Sequence, residues 1–325
     1  AAASTPILLN LVLIVALAGF CKNSDNPGYV LAWAVSLAGV IQFLWLMYFC
    51  RQEGFSLKFR KPCFQGKILV LGKRILPVVF GASLYQLNLL VGTILASLVS
   101  NGAVSYLYYA DRVTQLPLGI FGVAVGTALL PILAKQLSAG REKEAIISQN
   151  RGIEFALILT VPSAIALIII PLPLVTVLFE RGAFDLDASI ATAGAISAFA
   201  LGLPAYVLIK VLAPGFFARE NTLTPVRIAG ISMIFNIILN IIFMQFWGHV
   251  GIALASSISA WINAVWLAFL LRRDGNLIID KDLIIKILKI FVASGIMGSG
   301  LYFGVEYLNI HLMTAQVDKI ISLAG

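Results

Sequence analysis

Residues 105–131 read SYLYYADRVTQLPLGIFGVAVGTALLP. The run is long and apolar enough to cross a bilayer, yet an acid and a base, Asp111 and Arg112, stand side by side about a third of the way along it. A charge at membrane depth is tolerated chiefly where it faces a water-filled cavity or the interior of a bundle, so the stretch implies a polar pathway through a membrane.

The rest of the chain has the composition this requires. Of 325 residues, 60% are hydrophobic and 12% charged, about half the charge of an ordinary soluble domain. Apolar segments fall at about 7–21, 28–50, 75–99, 103–134, 153–179, 188–213, 225–247, 250–271, 283–308 and 311–325. The predicted fold class is therefore all-α, a polytopic transmembrane helix bundle. The formal net charge of +8 sits in bases that flank these segments and not in an aromatic-interleaved patch, so no nucleic-acid partner is expected. The three cysteines have no paired metal-ligand spacing, and neither a metal site nor a disulfide framework is predicted.

The connections alternate in charge. One set carries Arg51, Lys58, Arg60, Lys61, Lys67, Lys73 and Arg74, then Lys135, Arg141, Lys143 and Arg151, then Arg219 and Arg227, then Arg272, Arg273, Lys281, Lys286 and Lys289. The other set holds only Lys22 and Arg181. The positive-inside rule places the first set in the cytoplasm and the connections at 101–102, 180–187 and 249 outside.

Residues 28–54 also align without gaps on 249–275, pairing Ala32 with Ala253, Ser36 with Ser257, Trp45 with Trp266, Arg51 with Arg272 and Gly54 with Gly275. Both copies run toward the cytoplasm, as parallel repeats do in transporters built of two halves. The spacing predicts six helices per lobe: residues 1–50 would be the last two helices of an N-terminal lobe, 51–74 a cytoplasmic inter-lobe loop, 75–273 a six-helix C-terminal lobe, and 274–325 additional C-terminal helices, the last incomplete. On that reading the chain is truncated at its N-terminus and its first lobe is incomplete.

Arg112 lies roughly 15 Å of helix from the outer connection at 1.5 Å per residue. Its planar, permanently charged guanidinium suits a phosphate or carboxylate. Asp111 points about 100° away, which implies a partner elsewhere or on the backbone. Lys210 is the other deep base, two turns from a cytoplasmic end, where snorkelling competes with a cavity role. Gly119, Gly122 and Gly126 make a small-residue stripe suited to close helix packing. Gln86 and Asn88, with Asn236 and Asn240, are candidates for lining a cavity or holding a cation, with interhelical hydrogen bonding the simpler reading. Prolines recur in or near the ends of the segments, where each frees a carbonyl and permits a bend. There is no Walker loop, HExxH or nucleophile–base arrangement, so no catalytic residue, cofactor or metal is predicted, and pumping would draw on an ion gradient or the membrane potential.

The segments LPVVFGASLYQLNLLVGTILAS (76–97), YLYYADRVTQLPLGIFGVAVGTALLPIL (106–133) and VLAPGFFARENTLTPVRIA (211–229) resemble the MurJ (MviN) family of lipid II flippases, within the superfamily of multidrug and oligosaccharidyl-lipid exporters. The resemblance implies a two-lobed exporter of the bacterial inner membrane that moves an undecaprenyl-pyrophosphate-linked peptidoglycan precursor to the outer leaflet by alternating access. It implies substrate-binding roles for Arg112, Asp111 and Ser105, and for Lys210 and Arg219 as recurring basic positions. Gln115 stands where some members place a glutamate. Expected partners are lipid II, membrane lipids and cell-wall synthesis proteins. The alternatives are a drug or cation antiporter, a flippase for another lipid-linked oligosaccharide, and a non-transporting scaffold of cell-wall assembly.

Overall fold

The computed structural model describes residues 4–21, 26–54 and 86–324, with the side chains of 121, 123, 124 and 308–324 left aside. Most of the predicted inter-lobe loop at 51–74 and the start of the segment at 75–99 lie outside those residues. By contacts the chain divides into two units, Ala1–Leu69 and Val70–Gly325.

In the first unit, α1 (Thr5–Gly19) and α2 (Pro27–Gln52) form an antiparallel pair. Gln42 Nε2 donates to the Thr5 carbonyl at 2.9 Å, and Trp45 Nε1 to Ser4 Oγ at 3.1 Å. Among the described residues only the alanines 16, 34 and 38 are buried in this unit, so the pair meets through small side chains while its large apolar ones face outward.

The second unit has helices as its regular elements among the described residues. It comprises α3 (Gln86–Val99), α4 (Ala103–Pro117), a π-turn at Leu118–Gly122, α5 (Val123–Ser138), α6 (Glu142–Ile169), α7 (Pro171–Phe179), α8 (Leu186–Ala200), α9 (Leu203–Phe217), α10 (Leu223–Arg273) and α11 (Lys281–Ala324). Helix starts follow local chemistry. Asp185 accepts from the Ala188 amide at 2.9 Å to cap α8, Pro171 opens α7 and Pro204 stands in the first turn of α9. Glu142 and Glu144 sit in the first turn of α6, complementing the helix dipole.

α10 has 51 residues, roughly 76 Å if it were straight, against a hydrocarbon core of about 30 Å. It does not run straight. At Gly248 the backbone takes φ 54 and ψ −133, a conformation open to glycine and strained for other residues, and the chain doubles back. Gly251 then lies so close to the Phe243 carbonyl that an added Cβ would collide with that oxygen. Asn236 Nδ2 donates to Ser256 Oγ at 3.4 Å between the two arms. The hairpin supplies the two passes expected from segments 225–247 and 250–271. The segment at 283–308 and the described part of that at 311–325, by contrast, lie on one continuous helix, α11.

The aligned copies at 28–54 and 249–275 end alike. Glu53 and Asp274 close their helices at φ −81, ψ 11 and φ −82, ψ 8, followed by Gly54 and Gly275 at φ 80 and 72. Both are left-handed glycine stops.

The core of the second unit has two parts. Toward the cytoplasmic connections, Leu129 and Leu133 of α5 meet Ile153 and Leu157 of α6, Val211 and Leu212 of α9, and Leu267 and Leu271 of α10. Toward the outer connections, α8 supplies Ala193, Ala195, Ala198 and Ala200, which pack on Ala110 of α4, Ala164 of α6 and Ala253 of α10. The outer half is rich in small side chains, which let backbones approach, and is filled out by Leu167, Ile196 and Leu203. α11 lies along α6, where an added Cβ on Gly298 would meet Ile165 at 2.6 Å. Lys286 Nζ is 3.1 Å from Glu154 Oε2 on α6.

A candidate anion contact on an open helix face

α4 turns Ala103, Ala110, Val113 and Thr114 into the core. The opposite side presents Ser105, Tyr108 and Arg112 to the open surface. Ser105 and Arg112 are seven residues apart and so share a face. The buried face is fixed by its alanines and by Thr114, whose hydroxyl donates to the carbonyls of Ala110 and Asp111 at 3.1 and 3.0 Å. Arg112 is thus directed away from the core by the packing of α4.

Three neighbours define the charged pair. The Arg112 guanidinium lies 4.8 Å from the centroid of the Tyr108 ring, within cation–π range. Arg112 Nη1 donates to Gln115 Oε1 at 3.3 Å, and Gln115 Nε2 donates to Asp111 Oδ2. The sequence leads to a partner for Asp111 elsewhere than on Arg112, or on the backbone. Its side-chain partner is Gln115, one helical turn on, at the i,i+4 spacing that places two side chains on one face. Among the described residues no ion pair joins Asp111 to Arg112.

Immediately beyond, the helix is interrupted. Pro117 removes the amide that would bond the Val113 carbonyl, and the π-turn at Leu118–Gly122 follows. α9 crosses this region. The Lys210 stem passes Gly122, where an added Cβ would meet its Cδ at 3.0 Å. The Lys210 carbonyl, which Pro214 leaves without its helical donor, faces Gly126, where an added Cβ would stand 3.0 Å from that oxygen. Two members of the glycine stripe are thus packing glycines, whereas Gly119 has nothing within 4 Å of its Cβ position.

The structure does not gather every candidate into one cluster. Lys210 contacts the chain at Gly122, ten residues past Arg112, or roughly 15 Å along the helix. Arg219 stands beyond the end of α9 and donates to the Gly215 carbonyl at 2.7 Å. Burial pushes its guanidinium below the ordinary arginine range, and the nearby Glu142 carboxylate opposes that shift. Its contacts are those of a helix-end residue on the cytoplasmic side. Asn240 Nδ2 donates to Asn236 Oδ1 at 2.9 Å, so this buried pair is engaged with itself and with Ser256. Gln86 is exposed at the start of α3, and the Asn88 Oδ1 is buried with no partner among the described residues. Tyr108, the contacts of Gln115 and the Lys286–Glu154 pair escaped the sequence reading. For the first two the signal was available, since they lie at i−4 and i+3 from Arg112.

Comparison with known proteins places these features in a family. A family model described as lipid II flippase MurJ matches residues 1–320. A probable lipid II flippase MurJ of Rhizobium meliloti (strain 1021) is 40% identical over 97% of this chain and 59% of its own length. Its counterpart in Haemophilus influenzae is 34% identical over 94% of this chain and 61% of its own length. The chain thus spans about three fifths of the length of these curated relatives. A solved lipid II flippase MurJ in an inward closed conformation superposes with a TM-score of 0.79 at 27% identity, over 93% of this chain and 61% of that one. An outward-facing multidrug resistance transporter of the MATE family, at TM-score 0.53 and 18% identity over 74% of this chain and 55% of that one, shares the fold. Among the described residues six helices are long and apolar enough to span, and the protein is a multi-pass protein of the bacterial inner membrane. With the family model covering all but the last few residues, the chain belongs to the lipid II flippase MurJ family.

Proposed function

We infer that this protein takes part in moving lipid II, an undecaprenyl-pyrophosphate-linked peptidoglycan precursor, from the inner to the outer leaflet by alternating access, and that Arg112 contacts its pyrophosphate. One observation carries this reading. At membrane depth, the packing of α4 turns a permanently charged guanidinium onto the open face and away from the core. An arginine there is stable only against water or an anion. A pyrophosphate offers several charge-assisted hydrogen bonds to it, while the polyprenyl chain stays in lipid.

The protein is read as a transporter and not as a catalyst. Coupling would come from an ion gradient or the membrane potential, since moving one charge through 100 mV is worth about 2.3 kcal/mol. Ser105, on the same face as Arg112, would meet the same ligand. Lys210 and Arg219 would act at the middle and at the cytoplasmic end of the path.

The test is complementation in cells that depend on this gene, expressed at its native level. Arg112→Ala is expected to abolish growth while the protein still reaches the membrane. Full growth with Arg112→Ala would end the reading.

A further inference from the structure

Three tyrosines stand in the outer half of α4, and packing accounts for two of them. Tyr106 lies against His249 of α10, with ring centroids 5.4 Å apart. Tyr109 meets Phe179 at the end of α7 and Phe184 in the outer connection, at 4.9 and 5.1 Å. Both tyrosines are partly buried. Tyr108 is 55% exposed, on the face that carries Ser105 and Arg112. The core therefore does not explain an aromatic residue at position 108.

The guanidinium does. The spacing of four brings Tyr108 and Arg112 together one turn apart, and Arg112 Cζ lies over the Tyr108 ring, 4.8 Å from its centroid. The face of an aromatic ring is negative, so it attracts a cation through its quadrupole. That attraction differs from an ion pair in what it leaves free. A carboxylate would claim the N–H groups and cancel the charge, whereas a ring face has no lone pair and no net charge. One guanidinium N–H goes to Gln115, and the others have no hydrogen-bond partner among the described residues. An exposed arginine would otherwise sample many rotamers, and holding it before the ligand arrives removes part of the ordering cost of binding.

Tyr108 is itself steadied. Its ring meets Tyr109 edge-on at 6.0 Å, so ring contacts continue from Phe179 and Phe184 through Tyr109 and Tyr108 to Arg112.

We propose that Tyr108 is a positioning residue of the anion site: the face of its ring holds the Arg112 guanidinium in one orientation without occupying its N–H groups, which stay turned to the phosphoryl oxygens of a lipid-linked pyrophosphate. The inference rests on Arg112 being the anion contact, and Tyr108 acts through Arg112.

The test measures binding of undecaprenyl pyrophosphate to the purified full-length protein in detergent, with undecaprenol as the uncharged control and melting temperature recorded for every variant. Tyr108→Leu is expected to weaken pyrophosphate binding on the order of tenfold. It should leave undecaprenol binding and the melting temperature unchanged, because the site is exposed. Tyr108→Phe and Tyr108→Trp should stay within about threefold of the parent, since each keeps a ring face. The decisive series places phenylalanine with one, two or three ring fluorines at position 108. Fluorine withdraws charge from the ring face at nearly constant shape, so affinity should fall stepwise with each fluorine.

A tyrosine that only anchors the helix near the membrane surface gives a flat fluorine series, and that result overturns the proposal. A loss in Tyr108→Phe equal to that in Tyr108→Leu overturns it as well, by moving the role to the hydroxyl. Where Tyr108→Leu fails to fold, the fluorine series still decides. Parental affinity in Arg112→Ala would instead remove the anion contact itself. Loss in Arg112→Ala, with Tyr108→Leu at parental affinity, keeps that contact and rejects the positioning role.

Discussion

Gly126 and Gly119 are seven residues apart in one glycine stripe, yet they do different things. The first lies under the Lys210 carbonyl, whose helical donor was removed by Pro214, and the close approach lets a Cα–H face that oxygen. The second faces open space. Gly126→Ala is therefore expected to cost about 1–3 kcal/mol by overpacking, whereas Gly119→Ala should stay within about 0.5 kcal/mol of the parent. Thermal unfolding in detergent separates the two. The stripe was visible in the sequence, but which glycine meets a neighbour depends on how α9 crosses, and spacing alone does not contain that. The same limit applied to Asp111. Its partner Gln115 was one turn away in the sequence, but choosing it over a distant residue required the rotamers of three side chains.

The hairpin of α10 turns on two glycines with separate tasks. Gly248 supplies a backbone conformation, and Gly251 supplies the space for the Phe243 carbonyl. Gly248→Ala is expected to cost about 1–3 kcal/mol of backbone strain. Gly251→Ala should match or exceed the roughly 1–3 kcal/mol of ordinary overpacking, because the clash is with main chain that cannot turn aside. The melting temperatures of the two variants against the parent check both. The passes themselves were legible, because lipid forces each apolar run to satisfy its own backbone. Helix ends were less so. The apolar run begins at 153, but α6 begins at Glu142, since its first turns are charged and escape a hydropathy reading while continuing the same backbone. α6 also stops at Ile169, just before the residue preceding Pro171, where the helical region is disfavoured.

At the scale of the whole molecule, the loop charges set the orientation. The connection at 180–187 is short and carries Glu180, Arg181, Asp185 and Asp187, while Arg272 and Arg273 close α10 at the other side. Introduced singly into a variant without Cys21, Cys50 and Cys63, Asp187→Cys should react with a membrane-impermeant maleimide added to intact spheroplasts, and Arg273→Cys only after the membrane is opened. The reverse pattern would invert the topology. The two-part core adds a distinction in composition, because the outer half is richer in alanine and the cytoplasmic half in leucine. The meeting of α5 with α9 draws on the small-residue design too. At Gly122 in the π-turn and Gly126 in α5 there is no side chain to enter a hole on α9, and the Lys210 stem, the Val207 methyl and the Lys210 carbonyl lie directly on backbone. A single methyl at 126 would wedge the two backbones apart at that point.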